Sequence, residues 1–154
     1  MAVKTKDDQL TFDFRDGNGP VPAHQHSNGG GWVADTATVE PNARVSGDAR
    51  VSGAAHVSGD ACVYGDAHVY GAAHVSGAAH VCGDAHVSKQ PVVVTGLRYL
   101  VAVTDTHLIA GCECHTFEAW RNFSQKEITA MDGSSATEFY PTLLKLLDIT
   151  QETR

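Results

Sequence analysis

The sequence contains no long apolar run. No segment approaches the roughly 18 to 20 consecutive apolar residues that cross a bilayer. The chain also lacks the basic stretch followed by apolar residues that is typical of a secretory leader. We therefore expect a protein that neither spans a membrane nor is secreted, and the expected location is the cytoplasm.

Basic residues and cysteines are few. The chain has 11 Lys and Arg against 18 Asp and Glu, which gives a formal net charge of -7. An acidic chain is repelled by nucleic-acid duplexes and by anionic lipid, so neither is expected as a partner. Four cysteines in 154 residues do not make a disulfide scaffold, and they predict reduced thiols. These residues are Cys62, Cys82, Cys112 and Cys114.

Familiar catalytic motifs are also lacking. The sequence has no P-loop, no G-x-G-x-x-G fingerprint and no recognisable Ser-His-Asp arrangement. Its glycines belong mainly to regular repeat turns and to the run Gly29–Gly31. No cofactor is expected from these patterns.

A six-residue repeat occupies the stretch from Val33 to Val92. Its blocks are VADTAT, VEPNAR, VSGDAR, VSGAAH, VSGDAC, VYGDAH, VYGAAH, VSGAAH, VCGDAH and VSKQPV. Every block begins with Val, nine of ten have Ala at the fifth place, seven consecutive blocks have Gly at the third, and five end in His. One block buries almost nothing alone, so the repeat predicts units that stack on one another.

The chemistry of the block predicts a short strand followed by a turn. Val is β-branched and favours extended backbone. Gly tolerates backbone angles that other residues avoid, so the pair Gly-Asp or Gly-Ala turns the chain. Val and Ala then point inward, while Ser, Asp, His and Arg face outward. A strand and a turn in every six residues exclude a helix.

These blocks resemble the hexapeptide repeat, [LIV]-x-x-x-[STAV]-x, of left-handed parallel β-helices. The resemblance covers 60 of the 154 residues. It implies three hexads per triangular coil, a left-handed winding and frequent homotrimers. Ten hexads then give about three coils, spaced about 4.8 Å apart. The wording VSGDARVSG, with short flanking segments, is most similar to hexapeptide-repeat proteins of phages and prophages, which places the protein in the host cytoplasm.

The predicted fold class is therefore mainly β, with three parts. Residues 1–32 form an N-terminal strand and a Gly-rich cap, in which Leu10–Arg15 is a strand with Leu10, Phe12 and Phe14 on one face. The run Gly29–Gly31 indicates close backbone approach to another subunit, to the coil end or to a ligand. Residues 33–92 form the β-helix, which ends where Lys89 and Pro91 replace Gly and Ala.

Residues 93–154 form a C-terminal α+β unit. A hairpin is predicted from Leu97–Thr104 and His107–Cys114. Three short helices should follow, the first capped by Thr116 and the second opened by the capping box Ser124–Glu127. The third is expected to open at Ser135 and run to about Ile149, with Pro141 inside it.

Stacking at a distance of 18 residues predicts three outward columns. These are Thr38, His56 and His74; Arg44, Cys62 and His80; and Arg50, His68 and His86. Three interpretations are open: tolerated surface histidines, a polar interface with another subunit, or a metal site. The resemblance extends to γ-type carbonic anhydrases, but their H-x4-H spacing is missing here. Acyltransferases of similar fold use a His and an extruded loop, and no loop interrupts these hexads.

The motif Cys112-x-Cys114-His115 suggests a second possible metal site. If both cysteines belong to one strand, they point to the same side and could bind zinc with His115, or with His24 and His26. Structural zinc sites usually have two to four residues between cysteines, and here there is one. The alternative is a pair of cysteines in a small core.

The expected function is that of a non-enzymatic phage-type accessory protein acting against host defence. It would sequester a small anionic, nucleotide-like ligand at subunit borders, or inhibit a host protein, as a homotrimer or a dimer of trimers. Two alternatives remain open: an acyltransferase or γ-carbonic-anhydrase-like enzyme, and a structural trimerisation module. No catalytic or metal residues are assigned. The candidate ligand-binding residues are His24, His26, Arg44, Arg50, Arg98 and His115.

Overall fold

The computed structural model describes residues 2–4 and 9–153. It contains a central β-solenoid, an N-terminal group of strands and a C-terminal sheet with two helices. None of the helices in these ranges is long and apolar enough to cross a membrane.

The solenoid is built from short strands that follow one another every six residues. They are β4 (Trp32–Ala34), β5 (Thr38–Val39), β6 (Arg44–Val45), β7 (Arg50–Val51), β8 (His56–Val57), β9 (Cys62–Val63), β10 (His68–Val69), β11 (His74–Val75), β12 (His80–Val81) and β13 (His86–Val87). Each strand from β4 to β10 pairs in parallel with the strand 18 residues further on. Three sheets result, with the orders β4-β7-β10-β13, β5-β8-β11 and β6-β9-β12. The predicted solenoid of about three turns and the three predicted columns are confirmed.

The interior of the solenoid is lined by Val and Ala from successive blocks. From Val45 to Val87 every block-initial Val is 0 % exposed, and only Val39 in the first turn is partly buried. The fifth-place Ala residues from Ala43 to Ala85 are also buried. A small residue at each corner lets three strands close around a narrow core, because larger side chains would not fit at interior packing density.

The N-terminal strands extend one of the three sheets. They are β1 (Ala2–Lys4), β2 (Leu10–Asp13) and β3 (Pro20–Gln25), and β3 pairs antiparallel with β4. The predicted strand Leu10–Arg15 was too long, because Arg15 has a φ of 58° and leaves the extended conformation. Phe12 and Phe14 do share a cluster, in which Phe12 stacks on Trp32 at 4.6 Å between ring centroids.

The Gly-rich run lies against the first turn of the solenoid. Gly31 N donates to Val45 O at 2.8 Å, and Val45 N donates to Asn28 O at 3.1 Å. A Cβ on Gly29 would lie 2.4 Å from Val45 O, so a side chain there would collide with the backbone. Of the three predicted reasons for this run, close approach to the solenoid itself is therefore the one that the structure shows.

The C-terminal unit is a four-stranded antiparallel sheet followed by helices. Its strands are β14 (Val92–Val94), β15 (Val101–Val103), β16 (His107–Ala110) and β17 (Glu113–Thr116), paired in that order. The prediction of one strand over His107–Cys114 was wrong, because Gly111, with a φ of 59°, turns the chain there. Cys112 therefore lies in a turn and does not share a strand face with Cys114.

Two helices follow the sheet. They are α1 (Phe117–Asn122) and α2 (Gln125–Thr153), and α2 breaks at Asp132 and Gly133, where the backbone leaves helical angles. Thr116 caps α1 and the Ser124–Glu127 box opens α2, which confirms both predicted starts. Beyond the break the helix continues through Pro141 to Thr153.

The C-terminal sheet packs directly on the last turn of the solenoid. Asp105 N donates to His86 O, Ser88 N donates to Asp105 Oδ2, and His107 Nε2 contacts Asp84 Oδ1 at 2.9 Å. Apolar contact is supplied by a small cluster that combines solenoid and sheet residues. Its members are Tyr64, Cys82, Leu100, Ala102, Ile109 and Cys114.

Candidate functional site

Two of the predicted ligand-binding residues belong to the N-terminal strands and have partners within the chain. His24 Nδ1 lies 2.8 Å from Asp35 Oδ1, in an exposed ion pair. His26 is 7 % exposed, and its Nε2 donates to Ala43 O at 2.8 Å. His26 therefore holds the Gly-rich run against the first turn rather than facing a ligand.

Two more of the predicted residues belong to the C-terminal unit. Arg98 Nη1 donates to Ser135 Oγ, which links the sheet to α2. His115 Nε2 lies 2.8 Å from Glu113 Oε2, and the imidazole packs edgewise against Trp120 and Phe123. Both side chains thus stabilise the packing of this unit.

Arg50 lies in a cleft of mixed charge on another sheet. The cleft encloses about 270 Å³ and contains Arg15 beside three carboxylates, Asp13, Asp48 and Asp66. Carboxylates at this density oppose an anionic ligand. The column of Arg50, His68 and His86 is also partly covered. His68, next to Arg50, lies beneath Phe14 and is only 5 % exposed.

Arg44 is the one predicted residue that lies in a groove suited to an anion. We call it the Arg44–His80 groove, and it encloses about 650 Å³ between the solenoid and the C-terminal sheet. Its lining residues are Arg44, Ser46, Cys62, Tyr64, Ala78, His80, Leu100, Gly111 and Cys112. The other five predicted residues are not brought to this groove.

The repeat explains how the groove residues come together. Arg44, Cys62 and His80 begin β6, β9 and β12, so they lie one above another on successive turns. Ser46 and Tyr64 follow the inward Val of the same strands and therefore form a neighbouring column. The rest of the lining comes from the turn at Gly111 and from Leu100, which belong to the sheet that packs alongside.

The charge of the groove is opposite to that of the chain. Arg44 is cationic, and none of the described lining residues is a carboxylate. Burial raises the pKa of Tyr64, and the contact of its hydroxyl with the Cys82 thiol adds to that shift, so this hydroxyl already has a partner within the chain. The groove thus offers a guanidinium, an imidazole and an aromatic ring to one ligand, with the Tyr64 and His80 rings perpendicular at 6.2 Å.

All four cysteines border this region. Cys62 and Cys112 line the groove, while Cys82 and Cys114 lie together beneath Tyr64. The Cys114 thiol donates to Cys82 O at 3.1 Å, and its contact with the Cys82 thiol and its burial raise its pKa. Within residues 2–4 and 9–153, no group of three or more His, Cys, Asp and Glu side chains has the geometry of a metal site.

Comparison with known proteins adds no family to this description. No family model matches the chain, and neither the curated proteins nor the solved structures gave a match.

The predicted ligand-binding residues did not include three residues that line the groove, Cys62, Tyr64 and His80. The repeat did place Cys62 and His80 in one column with Arg44, and Tyr64 in the next column. What the repeat could not show is which column borders a groove, because the opposite wall comes from the non-repeating C-terminal sheet.

Proposed function

We propose that this protein is a non-enzymatic binding protein that sequesters a small anionic, nucleotide-like ligand in the Arg44–His80 groove. One observation carries the proposal: in a chain of net charge -7, this groove combines Arg44 and His80, and no carboxylate is found among its lining residues in the described part of the chain. A guanidinium offers the planar pair of donors that suits phosphate. Leu100 and the Tyr64 ring provide apolar surface for a base.

The wider identity of the protein is part of the same proposal. We infer a left-handed coil of the hexapeptide-repeat type, a homotrimer or a dimer of trimers, and a phage-type accessory role against host defence. The support for it is the sequence of the blocks, together with a solenoid of about three turns. In an oligomer, the column of Thr38, His56 and His74, in which Thr38 and His74 are exposed and His56 is half-buried, is the face that we assign to subunit contact.

The test is calorimetric titration of the full chain with AMP, ATP and a cyclic dinucleotide, with adenosine as the uncharged comparison. We expect at least one phosphorylated compound to bind and adenosine to bind much more weakly. Arg44→Gln should weaken binding about 10- to 100-fold, because a hydrogen bond to a charged group contributes about 1.5–3 kcal/mol.

The matched control is Arg50→Gln, because Arg50 has the same place in its hexad but lies in the cleft of mixed charge. It should leave the affinity within about twofold, provided that the variant melts as a folded protein. Native mass spectrometry of the same samples should show three or six subunits. Equal weakening by the two substitutions, or failure of every phosphorylated compound to bind, would contradict the proposal.

An acyltransferase is the second candidate, favoured by the presence of His80 in a groove large enough for part of a pantetheine arm. Acetyl-CoA carries phosphates and so is expected to bind under either hypothesis. Recovery of intact acetyl-CoA after incubation with acceptor amines and alcohols supports sequestration. Release of free CoA that His80→Gln abolishes would support the enzyme instead.

A further inference from the structure

A second cavity lies inside the C-terminal unit, between the sheet and the two halves of α2. It encloses about 310 Å³. Its walls are mainly apolar and include four aromatic rings, and the only charged groups among the described lining residues are two carboxylates. We call it the aromatic cavity. It is defined by the rings of Tyr99, Trp120, Phe139 and Tyr140 and by the carboxylates of Glu113 and Asp132.

The break in α2 shapes this cavity. Asp132 and Gly133 have φ values of -155° and 56°, so the helix axis is interrupted between them. Ile128 and Met131 before the break and Phe139 after it therefore line the same space. A continuous helix would present these residues along one straight axis and could not surround a cavity.

The aromatic walls are held in position by hydrogen bonds. Trp120 is buried, and its Nε1 donates to Leu108 O at 2.7 Å. Tyr140 donates its hydroxyl proton to Trp120 O. The rings of Tyr99 and Phe139 meet at a centroid distance of 5.2 Å and an angle of 75°. The site is preformed, so a ligand would not have to order these side chains on binding.

The charge of the cavity is opposite to that of the Arg44–His80 groove. None of its described lining residues is Lys, Arg or His. Asp132 Oδ2 accepts from the Tyr99 hydroxyl at 2.5 Å, and Glu113 Oε2 lies 2.8 Å from His115 Nε2, so each carboxylate is held by one oxygen. Arg98 lies beside the cavity and is not one of its described lining residues; its guanidinium donates to Ser135 and also contacts the Tyr99 hydroxyl, so the cation must bind on the side of the cavity that faces away from Arg98.

We propose that the aromatic cavity binds an organic cation: an ammonium group on a compact apolar body. Aromatic faces attract ammonium groups through their quadrupole, most strongly where water is excluded. Glu113 and Asp132 add charge attraction, while the apolar walls accommodate the body. The volume lies at the lower end of the range for small-molecule sites, which favours a single-ring ligand. This site is independent of the anion groove, although Cys112 lines both.

The probe is benzyltrimethylammonium, titrated into the full chain and followed by calorimetry. Neopentylbenzene, in which carbon replaces the charged nitrogen, is the uncharged comparison of the same shape, and benzylsulfonate is the anionic one. We expect the cation to bind about tenfold or more tightly than the neutral compound, and the anion not to bind. Equal binding of the cation and the neutral compound, or no binding of the cation at millimolar concentration, overturns the proposal.

Two isosteric variants and one cavity-filling variant locate the site. Glu113→Gln and Asp132→Asn should each weaken cation binding several-fold, and Ala136→Leu should abolish it by filling the cavity. Asp148→Asn is the matched control, because Asp148 is an exposed carboxylate of α2 outside the cavity, paired with Arg121. Should Asp132→Asn fail to fold, Glu113→Gln and Ala136→Leu still decide the result. Unchanged affinity in folded Glu113→Gln and Ala136→Leu variants overturns the assignment.

Discussion

The third place of the hexad requires glycine for two separable reasons. From Gly47 to Gly83 these glycines have φ between 62° and 71°, a region that other L-residues avoid. In addition, most of these glycines pack closely against the backbone of the glycine 18 residues later, in the next turn. A Cβ on Gly65 would lie 3.0 Å from Gly83 O, whereas a Cβ on Gly77 would meet nothing within 4 Å.

This pair predicts a graded loss of stability. Gly77→Ala should cost about 1 kcal/mol in the free energy of unfolding, from backbone strain alone. Gly65→Ala should cost about 1 kcal/mol more, since the stacked turns must also separate. Urea unfolding at one fixed protein concentration measures both variants. Equal losses of stability in the two variants would show that the stacking of successive turns does not contribute to the requirement for glycine.

At the scale of the element, α1 depends on its cap more than on its own length. The helix has six residues, too few to be stable alone, and it holds Trp120 against the sheet. Thr116 Oγ1 accepts from Ala119 N at 3.2 Å, which satisfies one of the free backbone donors of the first turn.

Removing this cap should therefore destabilise the C-terminal unit. Thr116→Ala is expected to lower the free energy of unfolding by about 1 kcal/mol, and Thr116→Ser should restore most of it because Ser keeps the acceptor oxygen. Chemical denaturation followed by Trp fluorescence measures the effect. A Thr116→Ser variant as unstable as Thr116→Ala would assign the loss to the methyl group instead of the cap.

Elements of the C-terminal unit were predicted less well than the solenoid. The starts of α1 and α2 follow from local capping signals, which act within four residues. The turn at Gly111 was missed because His107–Cys114 looks continuous as an apolar strand. Gly111 has a φ of 59° and packs beside Tyr99, and both features depend on how the four strands of the C-terminal sheet fold together.

At the scale of the whole molecule, both flanking parts bury a histidine where they meet the solenoid. His68 lies beneath Phe14 of the N-terminal segment, where Ser52 Oγ lies 2.9 Å from its Nε2. Burial lowers the pKa of His68 to about 4, and the charge of Arg50 adds to that shift. His107 of the C-terminal sheet contacts Asp84 of the solenoid, and burial lowers its pKa as well.

These contacts predict that stability falls as the pH falls. His68 in the unfolded chain takes up a proton near pH 6.5, while the folded chain takes it up only near pH 4. As the pH falls, the unfolded state therefore takes up the proton first. The resulting loss in the free energy of unfolding grows between pH 6.5 and 4, to on the order of 3 kcal/mol from His68.

Unfolding free energies at pH 7.5 and 4.5 measure this effect. His68→Gln should flatten the pH dependence, since glutamine cannot titrate but can still hydrogen-bond to Ser52. His80→Gln, in another column and outside both of these buried contacts, is the matched control and should keep the wild-type slope. A His68→Gln variant with the wild-type slope would show that other groups cause the acid sensitivity.

The sequence by itself determined the solenoid, because the repeat specifies its own contacts. Val at every sixth place and Gly at each turn make each block pair with the block 18 residues away, which carries the same pattern. Arg44, Cys62 and His80 were therefore predicted to lie in one column, and they do. The tertiary structure alone decided which columns are covered and which border a cavity. The parts that cover them do not repeat, so their positions depend on packing between distant segments, as where Phe14 buries His68 and the C-terminal sheet closes one side of the Arg44–His80 groove.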